Sequence, residues 1–141
     1  MPAMPAFSLK TYQTQALDSL ERSLTQAATG SLASAWAAEM ARQAPPPEPG
    51  ERVVTVPYRS QPFGDTPCVC LRIPTGGGKT LLASHAIPLM ARCWRQADFL
   101  VALGLVLSTT IRDQTLKALQ QPGHAYRAAR HGAVVAGRRA H

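Results

Sequence analysis

A glycine-rich stretch that follows a short apolar run constrains this chain more than any other feature. Residues 68–73 read Cys-Val-Cys-Leu-Arg-Ile, residues 74–80 read Pro-Thr-Gly-Gly-Gly-Lys-Thr, and an apolar segment of helical type follows. Strand, loop and helix in this order are what a phosphate-binding loop requires, because loop amides and a helix N-terminus together form an anion site. Three glycines allow positive φ and a close approach of the backbone to phosphate. The stretch therefore predicts a nucleotide-binding loop.

Each residue of the loop has an expected role. The backbone from Thr75 to Gly78 supplies amides to the phosphates, Lys79 reaches the β and γ phosphates, and the Thr80 hydroxyl binds Mg²⁺. The alternative is a glycine turn that happens to precede Lys-Thr. The strict pattern G-x-x-x-x-G-K-[ST] is not met, because Ile73 stands where its first glycine belongs. We therefore predict ATP and Mg²⁺ as cofactors, bound at Thr75, Gly76, Gly77, Gly78, Lys79 and Thr80.

Two stretches resemble superfamily 2 helicases and related translocases. Pro-Thr-Gly-Gly-Gly-Lys-Thr resembles their motif I, in which the first Walker glycine is often replaced. Residues 9–17, Leu-Lys-Thr-Tyr-Gln-Thr-Gln-Ala-Leu, resemble the segment upstream of motif I, where a Tyr-Gln pair begins the first helix and the glutamine contacts adenine. The match falls on Gln13, whose amide offers the donor and acceptor that adenine needs. The alternative is a polar residue on an amphipathic helix.

A third stretch narrows the resemblance to one family. Residues 105–127 resemble motif Ia and its following helix in the helicase-like Res subunit of type III restriction enzymes, and the whole resemblance covers about residues 7–127. It implies that Ser108, Thr109 and Thr110 contact the DNA backbone, which suits hydroxyls at a helix N-terminus. The alternative is an ordinary helix capped by Thr109 or Thr110.

The fold class that we predict is α/β, an incomplete parallel sheet of the P-loop (RecA-like) type with helices at its N-terminus. Helices are expected at about residues 9–27 and 31–43, and a third from Lys79 to His85 or further. Strands are expected at residues 51–58, 68–73 and 99–107, the last a continuous apolar run that suits a strand buried on both faces. Cys68 and Cys70 would then be small buried hydrophobes.

The predicted organisation has three parts. Residues 1–50 form a helical segment with the adenine motif and a proline-rich loop, residues 51–127 a partial ATPase domain, and residues 128–141 a basic tail. After Lys79 the acidic residues are Asp98 and Asp113, and neither follows a strand in the D-E-x-x manner that holds Mg²⁺ in such motors. The chain is therefore expected to be an N-terminal fragment without catalytic residues, whose status as an enzyme stays open, and to be marginally stable alone.

Charge and composition favour a polyanionic partner. The 141 residues carry a formal net charge of +7, which favours a polyanionic partner such as nucleic acid, or simply solubility. The resemblance implies that the partner is DNA. The resemblance adds a methylation (Mod) subunit in full-length relatives. An alternative is a small basic protein that binds nucleic acid or a protein partner without nucleotide chemistry; a small P-loop kinase ranks third. No signal peptide or membrane-length apolar stretch is apparent, so a cytoplasmic protein without a membrane association is expected.

Overall fold

A computed structural model describes residues 8–52, 54–98, 100–127 and 129. Within these residues the chain forms α1 (Thr11–Thr29), α2 (Leu32–Gln43), α3 (Lys79–Leu89), a π-helical segment (Met90–Arg95) and α4 (Thr109–Gln120). None of the described helices combines the length and apolar character needed to cross a membrane. Apart from Ala129, the predicted basic tail of residues 128–141 lies outside the described residues.

Helix α1 is the element on which the others pack. It contacts α2, α3 and the π-helical segment. Leu17, Leu20 and Leu24 recur at helical spacing on its buried face, where they meet Leu82 and Leu89 of α3. This leucine cluster is the main apolar core of the described chain. Each fully buried leucine in it contributes on the order of 2 kcal/mol to stability.

The two N-terminal helices confirm the sequence pattern, with a shift at the first. Helix α1 begins two residues later than predicted, with Lys10 as its N-cap, because Gln13 accepts a hydrogen bond from the Lys10 amide at 2.9 Å. Helix α2 begins after Ser31, whose hydroxyl accepts from the Ser34 amide at 3.1 Å. Serine at this position satisfies an amide that the helix itself leaves free.

The predicted parallel sheet is wrong for the described residues, which contain no β-strand. The described residues of the segments expected to be strands run as irregular chain, and no backbone hydrogen bond among them pairs one segment with another. Apolar side chains of the third segment face outward, with Val101 97% exposed and Leu107 100% exposed. An apolar run shows which side chains favour burial, but a strand also needs a neighbour for its amides and carbonyls. The described chain does not supply that neighbour.

The cysteines differ from the prediction for the same reason. Cys68 and Cys70 are exposed, and Cys93 is half-buried. Burial of the first two depended on the sheet, because a strand between two helical layers hides both of its faces. Without the sheet, their segment lies at the surface.

A proline marks the end of α3. The helix begins at Lys79 as predicted and contains Pro88, after which the chain continues as the π-helical segment Met90–Arg95. Proline has no backbone amide and removes one hydrogen bond of the helical ladder. The π-helical segment follows the proline-containing turn directly, and π-helical turns occur mostly within α-helices. An ion pair of 2.8 Å between Arg92 and Glu21 ties this segment to α1.

A buried carboxylate joins α1 to α2. Glu39 is 3% exposed, and its oxygens accept hydrogen bonds from Ser19, from Gln43 at 3.1 Å and from Arg22 at 3.1 and 3.3 Å. Arg42 Nε lies 3.4 Å from Oε2 of Glu39. Burial alone would raise the pKa of Glu39, but these hydrogen bonds and the Arg22 charge lower the pKa from 4.5 to about 2.

This pKa predicts an acid-labile contact between α1 and α2. Because the folded pKa lies below the unfolded one, the stabilisation is complete above about pH 5 and is lost as the pH falls toward 2. One pKa unit corresponds to about 1.4 kcal/mol, so the loss is on the order of 3 kcal/mol. Urea unfolding followed by circular dichroism between pH 7 and about pH 2 measures it. Glu39→Gln should be less stable at pH 7 by about 3 kcal/mol and should lose most of this pH dependence.

Glu21→Gln is the matched control. Glu21 also bonds an arginine, but both side chains are about half exposed, and exposed pairs contribute about 1 kcal/mol or less. Its acid profile should follow that of the unmodified chain. Equal losses in the two variants would contradict a special role for Glu39.

Candidate nucleotide-binding site

The loop between Pro74 and Lys79 turns sharply into α3. The Gly77 amide donates to the Pro74 carbonyl at 3.0 Å, which closes the turn. Gly78 is the N-cap of α3 with φ of 82°, and its carbonyl accepts from the Leu82 amide at 2.9 Å. Amides ahead of Leu82 have no acceptor inside the helix, as in any first helical turn. A helix N-terminus with free amides is a ready anion site.

Glycine is required at two positions of this turn. A Cβ at Gly77 would lie 2.5 Å from Ile73 Cγ2 and 2.8 Å from the Pro74 carbonyl oxygen. A Cβ at Gly78 would lie 2.6 Å from Gln13 Nε2, at a positive φ that other residues rarely adopt. The glycines therefore allow both the tight turn and the close approach of α1.

Lys79 and Thr80 form the first turn of α3. Lys79 Nζ donates to the Pro74 carbonyl at 3.2 Å, so the ammonium lies over the turn. Thr80 is half-buried, and its carbonyl accepts from Ser84 Oγ at 2.9 Å. Both side chains begin at the helix N-terminus, where the helix dipole favours an anion.

Helix α1 holds the loop from the other side. The hydroxyl of Tyr12 and Nε2 of Gln13 both donate to the Gly77 carbonyl, at 3.0 and 2.9 Å. Oε1 of Gln13 accepts from the Lys10 amide. The structure thus brings Gln13 together with the glycine loop, although more than sixty residues separate them in sequence.

The Gln13 amide retains part of its hydrogen-bonding capacity. Gln13 is 5% exposed, and it uses one N–H on Gly77 and one lone pair on the Lys10 amide. A glutamine amide has two N–H donors and two lone pairs. Among the described residues, one donor and one lone pair of this amide have no partner.

Sequence reasoning did not connect Tyr12 with the glycine loop. The Tyr-Gln pair was recognised, but the functional role was given to the glutamine alone. Helical geometry sends adjacent side chains about 100° apart, so two neighbours seldom share one target. Here both reach one carbonyl, because the loop lies over the start of α1 and the two donors are long side chains.

The predicted DNA contacts lie at the start of α4. Ser108, and neither Thr109 nor Thr110, is the N-cap, and its Oγ accepts from the Ile111 amide at 3.3 Å. All three hydroxyl residues are exposed. Among the described residues, no hydrogen bond joins them to the glycine loop, so the structure leaves these two predicted sites unconnected.

A separate cavity lies between α1, α2 and residues 69–73. Its volume is about 690 Å³, and Glu39, Trp36 and Met40 are among the residues that line it. Its described lining includes Ile73 but none of the predicted nucleotide-binding residues. The described part of the chain contains no cluster of three His, Cys, Asp or Glu side chains that could hold a metal ion.

Comparison with known proteins gives one family. The family model described as type III restriction enzyme, res subunit, matches residues 6–141. Comparisons with curated proteins and with solved structures give no match. The match starts where the resemblance to superfamily 2 enzymes starts, and it extends beyond residue 127 through the basic tail. Because the family model covers nearly the whole chain, this protein belongs to the family of type III restriction enzyme res subunits.

Proposed function

We propose that this chain binds ATP with Mg²⁺ at the loop between α1 and α3, within a helicase-like subunit that acts on DNA. The observation that carries the proposal is the Gly77 carbonyl, which accepts hydrogen bonds from Tyr12 and Gln13. These contacts hold the Tyr-Gln pair of α1 against the glycine turn, which supports a single nucleotide site.

The phosphates would bind on the α3 side of the turn. The backbone from Thr75 to Gly78 supplies amides, and Gly77 and Gly78 leave space that a Cβ would fill. The Lys79 ammonium can exchange its neutral Pro74 carbonyl partner for a phosphate oxygen, because charge-assisted hydrogen bonds are about twice as strong as neutral ones. Loop amides and ammonium would then act on the same anion.

The base would bind at Gln13. The free N–H and the free lone pair of its amide match the acceptor and donor that adenine offers along one edge. Guanine presents an acceptor where adenine presents its amino group. The free lone pair on Gln13 Oε1 would therefore face a lone pair of guanine, and the two would repel each other. Adenine is therefore the preferred base.

Mg²⁺ would be bound by the Thr80 hydroxyl and by phosphate oxygens. Mg²⁺ retains several waters in phosphate sites and needs few protein ligands. ATP hydrolysis also needs an acid that holds the metal and a group that positions water. We assign neither to this chain, so the proposed chemistry is nucleotide binding.

DNA would bind at the start of α4. Thr109 and Thr110 are exposed at the positive end of a 12-residue helix, and such ends commonly contact backbone phosphates. The formal net charge of +7 adds general attraction to a polyanion. A cytoplasmic location and an assembly with a methylation subunit belong to the same proposal.

Lys79→Ala should weaken binding of a fluorescent ATP analogue by about tenfold or more, since a charge-assisted hydrogen bond contributes roughly 1.5–3 kcal/mol. Lys117→Ala is the matched control, because Lys117 is an exposed lysine in the last turn of α4. Thr80→Ala should reduce the gain in affinity that Mg²⁺ gives. Equal affinities of the two lysine variants would contradict the site.

Gln13→Ala should remove the preference for ATP over GTP, because the amide is the group proposed to read the base. Competition of both nucleotides with the fluorescent analogue measures that preference. Gln15→Ala is the control, since Gln15 is exposed on the same helix. A preference that survives in Gln13→Ala would exclude the adenine contact.

Thr109→Ala combined with Thr110→Ala should weaken binding to a short DNA duplex by roughly ten- to a hundredfold, as expected for two lost hydroxyl contacts. Ser108 is kept, so that the helix cap remains. Since hydroxyls release no counterions, the salt dependence should not change, whereas Lys117→Ala would lower its slope by about one if Lys117 contacts phosphate. Thr25→Ala, at an exposed position near the C-terminus of α1, is the control. Fluorescence anisotropy that shows equal binding of the double variant and the control would rule out this contact.

A further inference from the structure

The hydroxyl of Tyr12 is a second donor to the carbonyl that Gln13 already binds. Tyr12 Oη lies 3.0 Å from the Gly77 oxygen, and Gln13 Nε2 lies 2.9 Å from it. A carbonyl oxygen has two lone pairs, so it accepts both hydrogen bonds at once. Tyr12 is the more exposed of the two residues, with 37% of its surface accessible.

Fixing this carbonyl also fixes the neighbouring amide. The Gly77 carbonyl and the Gly78 N–H belong to one planar trans peptide group, in which they point in opposite directions. Because Tyr12 and Gln13 draw the carbonyl toward α1, the Gly78 N–H points away from α1. Gly78 is the N-cap of α3, so this N–H lies next to the helix N-terminus, where the phosphates are proposed to bind.

Gly78 needs such a restraint more than most residues do. Its φ is 82°, and glycine rotates between positive and negative φ at little cost. Within the turn, the Gly77 N–H donates a hydrogen bond to the Pro74 carbonyl. This hydrogen bond does not restrain the Gly77–Gly78 peptide group, which can still rotate. Hydrogen bonds from outside the loop remove that freedom.

We infer that Tyr12 is a positioning residue of the phosphate loop, which orients the Gly77–Gly78 peptide group toward phosphate through its hydroxyl. The inference rests on the proposed nucleotide site and adds a residue to it. Gln13 would form hydrogen bonds with both the loop and the base, whereas Tyr12 forms one with the loop alone. Tyr12 therefore acts on the phosphates of any nucleotide, and Gln13 sets the choice of base.

Tyr12→Phe tests this role, because it removes the hydroxyl and keeps the ring. We expect affinity for ATP, GTP and inorganic tripolyphosphate to fall by the same factor, about three- to tenfold for one lost hydrogen bond. The preference for ATP over GTP should not change, and the thermal midpoint without ligand should fall no further than it does in Tyr58→Phe, which also loses a hydrogen-bonded tyrosine hydroxyl. Tyr58→Phe is the matched control, because the Tyr58 hydroxyl accepts from the Cys68 amide at 2.9 Å, away from the loop.

A ligand-free measurement separates this inference from the proposed function. NMR relaxation should show larger-amplitude motion of the Gly78 N–H in Tyr12→Phe and no such change in Tyr58→Phe. Unchanged motion of the Gly78 N–H in Tyr12→Phe, or an equal fall in affinity in Tyr58→Phe, would overturn the positioning role. If Lys79→Ala lowers the affinity and Tyr12→Phe does not, the nucleotide site stands and the inference fails. If neither variant lowers it, both fail.

Discussion

The carbonyl oxygen of Gly77 joins the beginning of the described chain to its middle. It accepts from Tyr12 and Gln13 of α1, and it lies in the turn that starts α3. The leucines of α1 pack against Leu82 and Leu89 of α3, so the same two helices meet through apolar contacts and at one polar point. Packing brings the helices together without fixing their rotation, whereas a directional hydrogen bond to one carbonyl sets the register of the loop against α1.

The polar contact between α1 and α2 has a different character. Glu39 is a buried carboxylate whose hydrogen bonds and neighbouring arginine hold its pKa at about 2. A buried charge requires compensation, and removing one partner costs more than the pair contributes. The α1–α2 contact is therefore specific and sensitive to acid, while the α1–loop contact uses neutral donors and an uncharged acceptor. Acid should release the first before it affects the second.

The sequence predicted elements of local origin better than those that need a distant partner. Helix α2 was placed correctly because its cap, Ser31, and its alanine-rich body are neighbours in sequence. The start of α3 at Lys79 was also correct, since three glycines end one conformation and the apolar segment begins another. The sheet was wrong because strand pairing depends on contacts between residues far apart, which an apolar run does not encode. Exposed Val101 and Leu107 show the consequence in the described residues.

The sequence by itself determined the family and the position of the glycine loop, because these follow from residue types at fixed spacing. The family match over residues 6–141 agrees with that reading. Only the tertiary structure decided that Tyr12 and Gln13 share the Gly77 carbonyl, and that the segments predicted as strands have no partner among the described residues. Motifs record which side chains are present. The direction of a peptide group and the neighbour of a strand depend on how distant segments pack, and packing is a property of the whole fold.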